Sequence, residues 1–321
     1  MSLLGIGALD ERIAFVFPGQ GSQHVGMGRR ICELSPAARA IFRQADEALG
    51  GALSLLCFDG PAEELEDTVN AQPAIVTVSI ACLAALREKW YALGRVVEPV
   101  YVAGHSLGAY SALVAADALD FSDAVRLVRE RGRLMKACSQ EQPGGMAAVI
   151  GLDEQTLEEV CRQAGSKGVV VVSNANSPDQ RVLSGEVQAL VHAMELARAR
   201  GARRVARLGV SIASHSPLMQ RAAQQFAVVL AGIRLCEPRV PIISDITGQA
   251  LTSAEDIRRE LADQLCRPVQ WTRSVMEMVN GGARAFAEIG PGQVLSGLIR
   301  RISQDVRVIS LNDQAIAALE P

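Results

Sequence analysis

The sequence predicts an α/β fold, a large α/β domain into which a small βαββαβ unit is inserted. Three observations lead there. Short apolar runs such as Ile13 to Phe17 and Tyr101 to Ala103 stop at glycine-containing loops, as buried strands of an α/β domain do. Between about Met146 and Leu208 the pattern changes to shorter units that alternate strand and helix. The chain has 321 residues, long for one hydrophobic core and short for three, which suits one large domain with a smaller insert.

Taken in order, Ile13 to Phe17 reads as a buried strand followed by the loop Pro18-Gly19-Gln20-Gly21-Ser22-Gln23. Apolar positions then recur at helical spacing from Gln72 to Leu93. Tyr101-Val102-Ala103 is a strand that ends in Gly104-His105-Ser106-Leu107-Gly108, with a helix expected from Ala109 to Leu119. In the insert, MAAVIG is a strand, Asp153 to Ala164 a helix, VVVVSNA and RVLSG two strands, Glu186 to Arg200 a helix, and Arg204 to Leu208 the last strand. That order is the split βαβ arrangement of ferredoxin-like units. The large domain resumes near Val210, with strands at Pro241 to Ser244 and Ala285 to Glu288. The expected division is 1–140 and 210–321 for the large domain and 141–209 for the small subdomain.

Composition excludes several functions. Apolar residues make up 49 % and charged residues 21 % of the chain, ordinary for a folded globular protein. A formal net charge of -3, with arginines dispersed among acids, offers no field for nucleic acid. Apolar stretches such as Ala74 to Ala85 are too short or too interrupted to span a bilayer, and the start MSLLGIGALDER lacks the pattern of a secretory signal, so a cytoplasmic location is expected. The 7 cysteines form no CxxC pair and the 4 histidines no HExxH, so reduced cysteines and no metal are expected.

Gly104-x-Ser106-x-Gly108 has the form of a nucleophile elbow, in which small neighbours permit a sharp strand-to-helix turn that exposes a serine hydroxyl. This makes the large domain α/β-hydrolase-like. At a helix N-terminus the free N–H groups, that of Leu107 among them, can stabilise an oxyanion. A base must reach Ser106. His192 lies within a helical pattern, His105 should point away from its neighbour, His24 is an outside candidate, and His215 in Ser214-His215-Ser216-Pro217 occupies a loop where an imidazole can face a cleft.

Phe17-Pro18-Gly19-Gln20-Gly21-Ser22-Gln23, Gly104-His105-Ser106-Leu107-Gly108, Arg131-Gly132, Ser214-His215, Pro268-Val269-Gln270-Trp271 and Gly290-Pro291-Gly292 together resemble the malonyl-CoA:acyl carrier protein transacylases over nearly the whole chain. The resemblance implies a Ser106–His215 dyad, with the backbone carbonyl of Gln264 holding the second imidazole nitrogen. It implies an oxyanion hole from the N–H groups of Gln20 and Leu107, and Arg131 facing the malonyl carboxylate. A planar guanidinium suits that task, since it can grip a carboxylate through two parallel hydrogen bonds; by its neighbours alone, Arg131 reads as a solvated helix arginine. One departure is Ala109, where many relatives carry an acidic residue.

The implied reaction is ping-pong transfer of malonyl from malonyl-CoA to the phosphopantetheine thiol of acyl carrier protein, without a cofactor, by a monomer. Methylmalonyl-CoA is the nearest alternative donor. Fatty acid synthesis, a polyketide assembly line and malonate decarboxylase are the pathways such residues can serve. A thioesterase or acyl hydrolase on the same scaffold and a non-catalytic docking module are the rivals. For an acidic carrier, the expected docking patch is Arg198, Arg200, Arg203, Arg204 and Arg207.

Overall fold

The computed structural model describes residues 12–319; the N-terminal stretch read for a signal lies, except for Arg12, outside them. Among the described residues, ten strands form two sheets: β1 (Ile13–Phe17), β2 (Tyr101–Gly104), β3 (Gly144–Ile150), β4 (Val170–Ser177), β5 (Gln180–Glu186), β6 (Arg204–Arg207), β7 (Ile242–Ile243), β8 (Ala250–Leu251), β9 (Ala285–Ile289) and β10 (Arg307–Leu311). The larger sheet has the order β10-β9-β1-β2-β7-β8. Its pairs are parallel except at the β7–β8 edge. β1 is central and every one of its five residues is buried, which is why it reads as an unbroken apolar run. One apolar cluster covers each face of this sheet, with Phe15 and Phe17 on one side and Ala14 and Val16 on the other.

The second sheet, β4-β5-β3-β6, is antiparallel throughout. Its helices Glu154–Ala164 and Val187–Ala199 close a separate core around Val149, Leu157, Val160, Leu183 and Leu190. This is the expected ferredoxin-like unit. It is fastened to the larger part by backbone: Ala175 N–H donates to Val269 O at 2.8 Å and Val269 N–H to Ser173 O at 2.9 Å.

Two elements differ in extent from expectation, the elbow helix and the long apolar helix. The elbow helix ends at Ala115 rather than Leu119, because Asp117 turns left-handed at φ 58° and Leu119 goes on to bridge Leu235. A second helix, Phe121–Glu141, started by the Asp120 carboxylate accepting from Ser122 and Asp123 N–H, carries Arg131. The helix Thr68–Ala92 has 25 residues and is, among the described residues, the one helix long and apolar enough to cross a membrane. The apolar stretch is therefore longer than Ala74 to Ala85, but 83 % of its most apolar window is buried inside the protein; it is apolar all round because other elements surround it.

Candidate active site

β1 and β2 pair in parallel with Phe17 opposite Gly104, so the loops that follow them leave the same end of the sheet. Open α/β sheets place their sites at that end. Ser106, two residues past β2, has φ 51°, a strained left-handed conformation that a serine adopts only where the surroundings enforce it. They do: a Cβ on Gly104 would lie 1.9 Å from Gly108 C, and one on Gly108 would lie 2.0 Å from Phe17 O. Only glycine permits strand, elbow and helix to approach so closely. The first loop presses against the elbow too, since a Cβ on Gly19 would meet His105 O at 2.6 Å.

His215, also left-handed at φ 57°, brings its Nε2 to 2.8 Å from Ser106 Oγ. Its Nδ1–H is shared between two backbone carbonyls, Gln264 O at 2.9 Å and Arg267 O at 3.1 Å. Those acceptors leave the lone pair on Nε2, the tautomer a base requires. The imidazole is 3 % exposed. Burial, followed by the charge of Arg131, pushes its pKa down to about 3, so it rests neutral.

Arg131 is 2 % exposed, which overturns the reading as a solvated helix arginine. Its Nη2 donates to Ser106 Oγ at 3.2 Å and Gln264 Oε1 at 3.3 Å, and Nη1 to Gln72 Oε1 at 2.8 Å. Its Nε has no partner, and among the described residues no carboxylate forms a salt bridge with it. A buried guanidinium beside Ser106 with an unused N–H can receive an anion. Gln72 extends the network, as its Nε2 donates to Thr68 Oγ1 at 2.9 Å and Thr68 Oγ1 to Gln20 Oε1 at 2.9 Å. The guanidinium is thereby linked to the loop of Gln20. The N–H groups of Gln20 and Leu107 donate to no acceptor among the described residues.

The other histidines lie apart from the dyad. His105 Nε2 is 2.8 Å from Asn176 Oδ1 of the small subdomain, His24 is exposed beside Ser22 O at 3.4 Å, and His192 pairs with Glu195 on its own helix at 3.6 Å. Of the cysteines, five are buried, Cys236 is exposed and Cys266 is intermediate. Among the described residues no three His, Cys, Asp or Glu side chains gather as a metal-binding set. Arg198, Arg200, Arg203, Arg204 and Arg207 are all exposed, but Arg203 is paired with Asp179 at 2.5 Å.

Sequence reasoning missed Gln72, Thr68, Asn176 and Asp245. Asp245, 2 % exposed, accepts from Ser106 N–H at 2.7 Å. The Gln264 side chain was missed as well, since only its carbonyl was singled out. Nothing in the local pattern marks these residues.

An acyl transferase domain model matches residues 14–315. The malonyl CoA-acyl carrier protein transacylase of Bacillus subtilis (strain 168) is 43 % identical over 304 residues, 94 % of each chain. That of Escherichia coli (strain K12) is 43 % identical over 311 residues, 96 % of this chain and 99 % of its own. Among solved structures, the malonyl CoA-acyl carrier protein transacylase from Coxiella burnetii superposes with a TM-score of 0.90 at 40 % identity, covering 95 % of this chain and 96 % of that one. A malonyl transacylase solved in complex with a type II PKS acyl-carrier protein gives a TM-score of 0.90 at 40 % identity, covering 95 % and 97 %.

Proposed function

The chain belongs to the acyl transferase domain family, and from that premise we propose that it transfers malonyl from malonyl-CoA to the phosphopantetheine thiol of acyl carrier protein, in fatty acid synthesis in the cytoplasm. The observation that carries this reading is the placement of Ser106 Oγ between two buried groups, His215 Nε2 at 2.8 Å and Arg131 Nη2 at 3.2 Å. One is a base and the other a fixed positive charge without a carboxylate, so the acyl group favoured at Ser106 carries its own.

In the first half-reaction Ser106 Oγ attacks the thioester carbon and His215 Nε2 takes its proton. The N–H groups of Gln20 and Leu107 receive the oxyanion, and the coenzyme A thiolate leaves with the proton returned from His215. In the second half-reaction His215 deprotonates the carrier thiol, the new C–S bond forms, and the C–O bond to Ser106 breaks as His215 returns the proton to Ser106 Oγ. Arg131 contributes in two ways. It anchors the malonyl carboxylate, and that carboxylate in turn cancels the positive charge which depresses His215, so a dicarboxylic donor strengthens the base that attacks it. The small subdomain, bounded as 141–209, forms a wall of the cleft and helps exclude water from the acyl-serine.

Incubating the protein separately with malonyl-CoA, methylmalonyl-CoA and acetyl-CoA, with and without carrier protein, tests the reading by intact mass. The expected result is malonyl on the enzyme that passes to the carrier, with acetyl poorly taken up. Free malonate released at the same rate with and without carrier makes the chain a hydrolase instead. One methyl group changes pocket binding by about 1 to 3 kcal/mol, so methylmalonyl-CoA is expected to compete measurably.

A further inference from the structure

Two buried carboxyl groups beneath the elbow are not used by the mechanism above. Asp245, in the connection from β7 to β8, is 2 % exposed, and Glu260 is 8 % exposed. They line one small cavity together with Ala109 of the elbow helix. Glu260 Oε1 accepts from Ser244 Oγ–H at 2.7 Å and Ile246 N–H at 3.3 Å. Asp245 is bonded to the catalytic machinery itself. Its Oδ2 accepts from Ser106 N–H at 2.7 Å, and Gln264 Nε2 donates to Oδ1 at 3.2 Å and Oδ2 at 3.3 Å.

We propose that Asp245 is the positioning residue of this site, fixing the elbow through Ser106 N–H and setting the direction of the Gln264 amide. Because Asp245 Oδ2 accepts from Ser106 N–H, Gln264 turns Nε2 toward that oxygen and toward Ser106 O, 3.0 Å away. That leaves Gln264 Oε1 for Arg131 Nη2 at 3.3 Å, while the main-chain carbonyl of the same residue takes His215 Nδ1–H at 2.9 Å. One carboxyl group thus reaches the nucleophile directly, and the base and the guanidinium through one further residue. Burial and the neighbouring Glu260 push the Asp245 carboxyl upward.

Asp245 has this role only where Ser106 is the nucleophile, so the two are tested apart with a fluorophosphonate probe, which reports serine activation without an acyl donor. Ser106 Oγ forms the bond to phosphorus, fluoride leaves, and the proton passes to His215. In Asp245→Asn an amide N–H opposes Gln264 Nε2 and the Gln264 amide turns over; labelling of Ser106 is expected to slow about tenfold to a hundredfold. Asp245→Glu, which keeps a carboxyl at this position, restores most of the rate. A wild-type rate in Asp245→Asn, or an Asp245→Glu rate no faster than that of Asp245→Asn, overturns the proposal. Should Asp245→Asn not fold, Gln264→Leu keeps the carbonyl that holds His215 and loses only the amide relay; the same slowing is expected, and a wild-type rate again overturns it. Wild-type protein that labels at Ser106 yet takes no malonyl from malonyl-CoA removes the donor assignment and leaves the Asp245 comparison intact.

Discussion

Replacing Arg131 by alanine takes away a guanidinium that donates to Ser106, Gln72 and Gln264. Losing a charge-assisted pair with the substrate costs about 3 kcal/mol, so kcat/KM for malonyl-CoA is expected to fall about a hundredfold while that for acetyl-CoA changes much less. Steady-state kinetics with both donors measures the ratio, and an equal fall for both would remove Arg131 from selectivity. His215 makes a prediction about pH. Its imidazole is held at about 3 in the fold against an ordinary 6.5, so between those values the unfolded chain binds the extra proton. The stability associated with neutral His215 is fully present above about 6.5 and is lost as pH falls toward 3. For kcat/KM, which reports the free enzyme, the acid limb is expected well below pH 6.5, and for kcat, with a carboxylate beside Arg131, at a higher pH. A limb at 6.5 in both profiles would contradict this. The elbow around Ser106 was legible because its glycines leave a local signature, whereas the contact with His215 was expected only from the family resemblance. Asp245 was not legible, because SDIT reads as an ordinary turn and its value comes from Ser106, 139 positions away.

Among elements, the elbow is the most constrained. A methyl group on Gly108 must displace Phe17 O, 2.0 Å from where it would lie. Gly108→Ala is therefore expected to lose about 1 to 3 kcal/mol in urea unfolding and to lose activity further, because Ser106 and the Gln20 loop shift together. By contrast, Asp120→Ala removes the cap of the helix that carries Arg131 and is expected to cost about 1 kcal/mol with donor preference unchanged. The strands were legible as apolar runs between glycines, and the insert by its alternation. The end of the elbow helix was not. Ala109 to Leu119 is mostly apolar and helix-forming, and what stops it at Ala115 is a turn in which Asp117 is left-handed at φ 58° and Ala118 N–H donates to Leu113 O at 2.9 Å, a conformation that asparagine and aspartate tolerate but that the apolar pattern does not announce.

At the scale of the molecule, two sheets with separate cores meet where Val269 pairs with β4 and His105 meets Asn176. That joint explains why Pro268-Val269-Gln270-Trp271 stood out in the sequence: it is the seam between the parts, with Trp271 fully buried beneath His105. The exposed arginines at the end of the small subdomain are the proposed landing surface for the carrier. Because Arg203 is already paired with Asp179, Arg200 and Arg204 are the residues to reverse. Changing both to glutamate is expected to raise the apparent KM for carrier protein and leave acylation by malonyl-CoA unchanged; unaltered carrier kinetics would remove the patch. The central claim concerns one covalent bond. Wild-type and Ser106→Ala protein should be mixed with malonyl-CoA, quenched in acid, and digested for peptide mass mapping. The predicted result is malonyl on the wild-type peptide that contains Ser106 and none on the variant, whereas malonyl on another residue, or unmodified wild-type protein, would contradict the account.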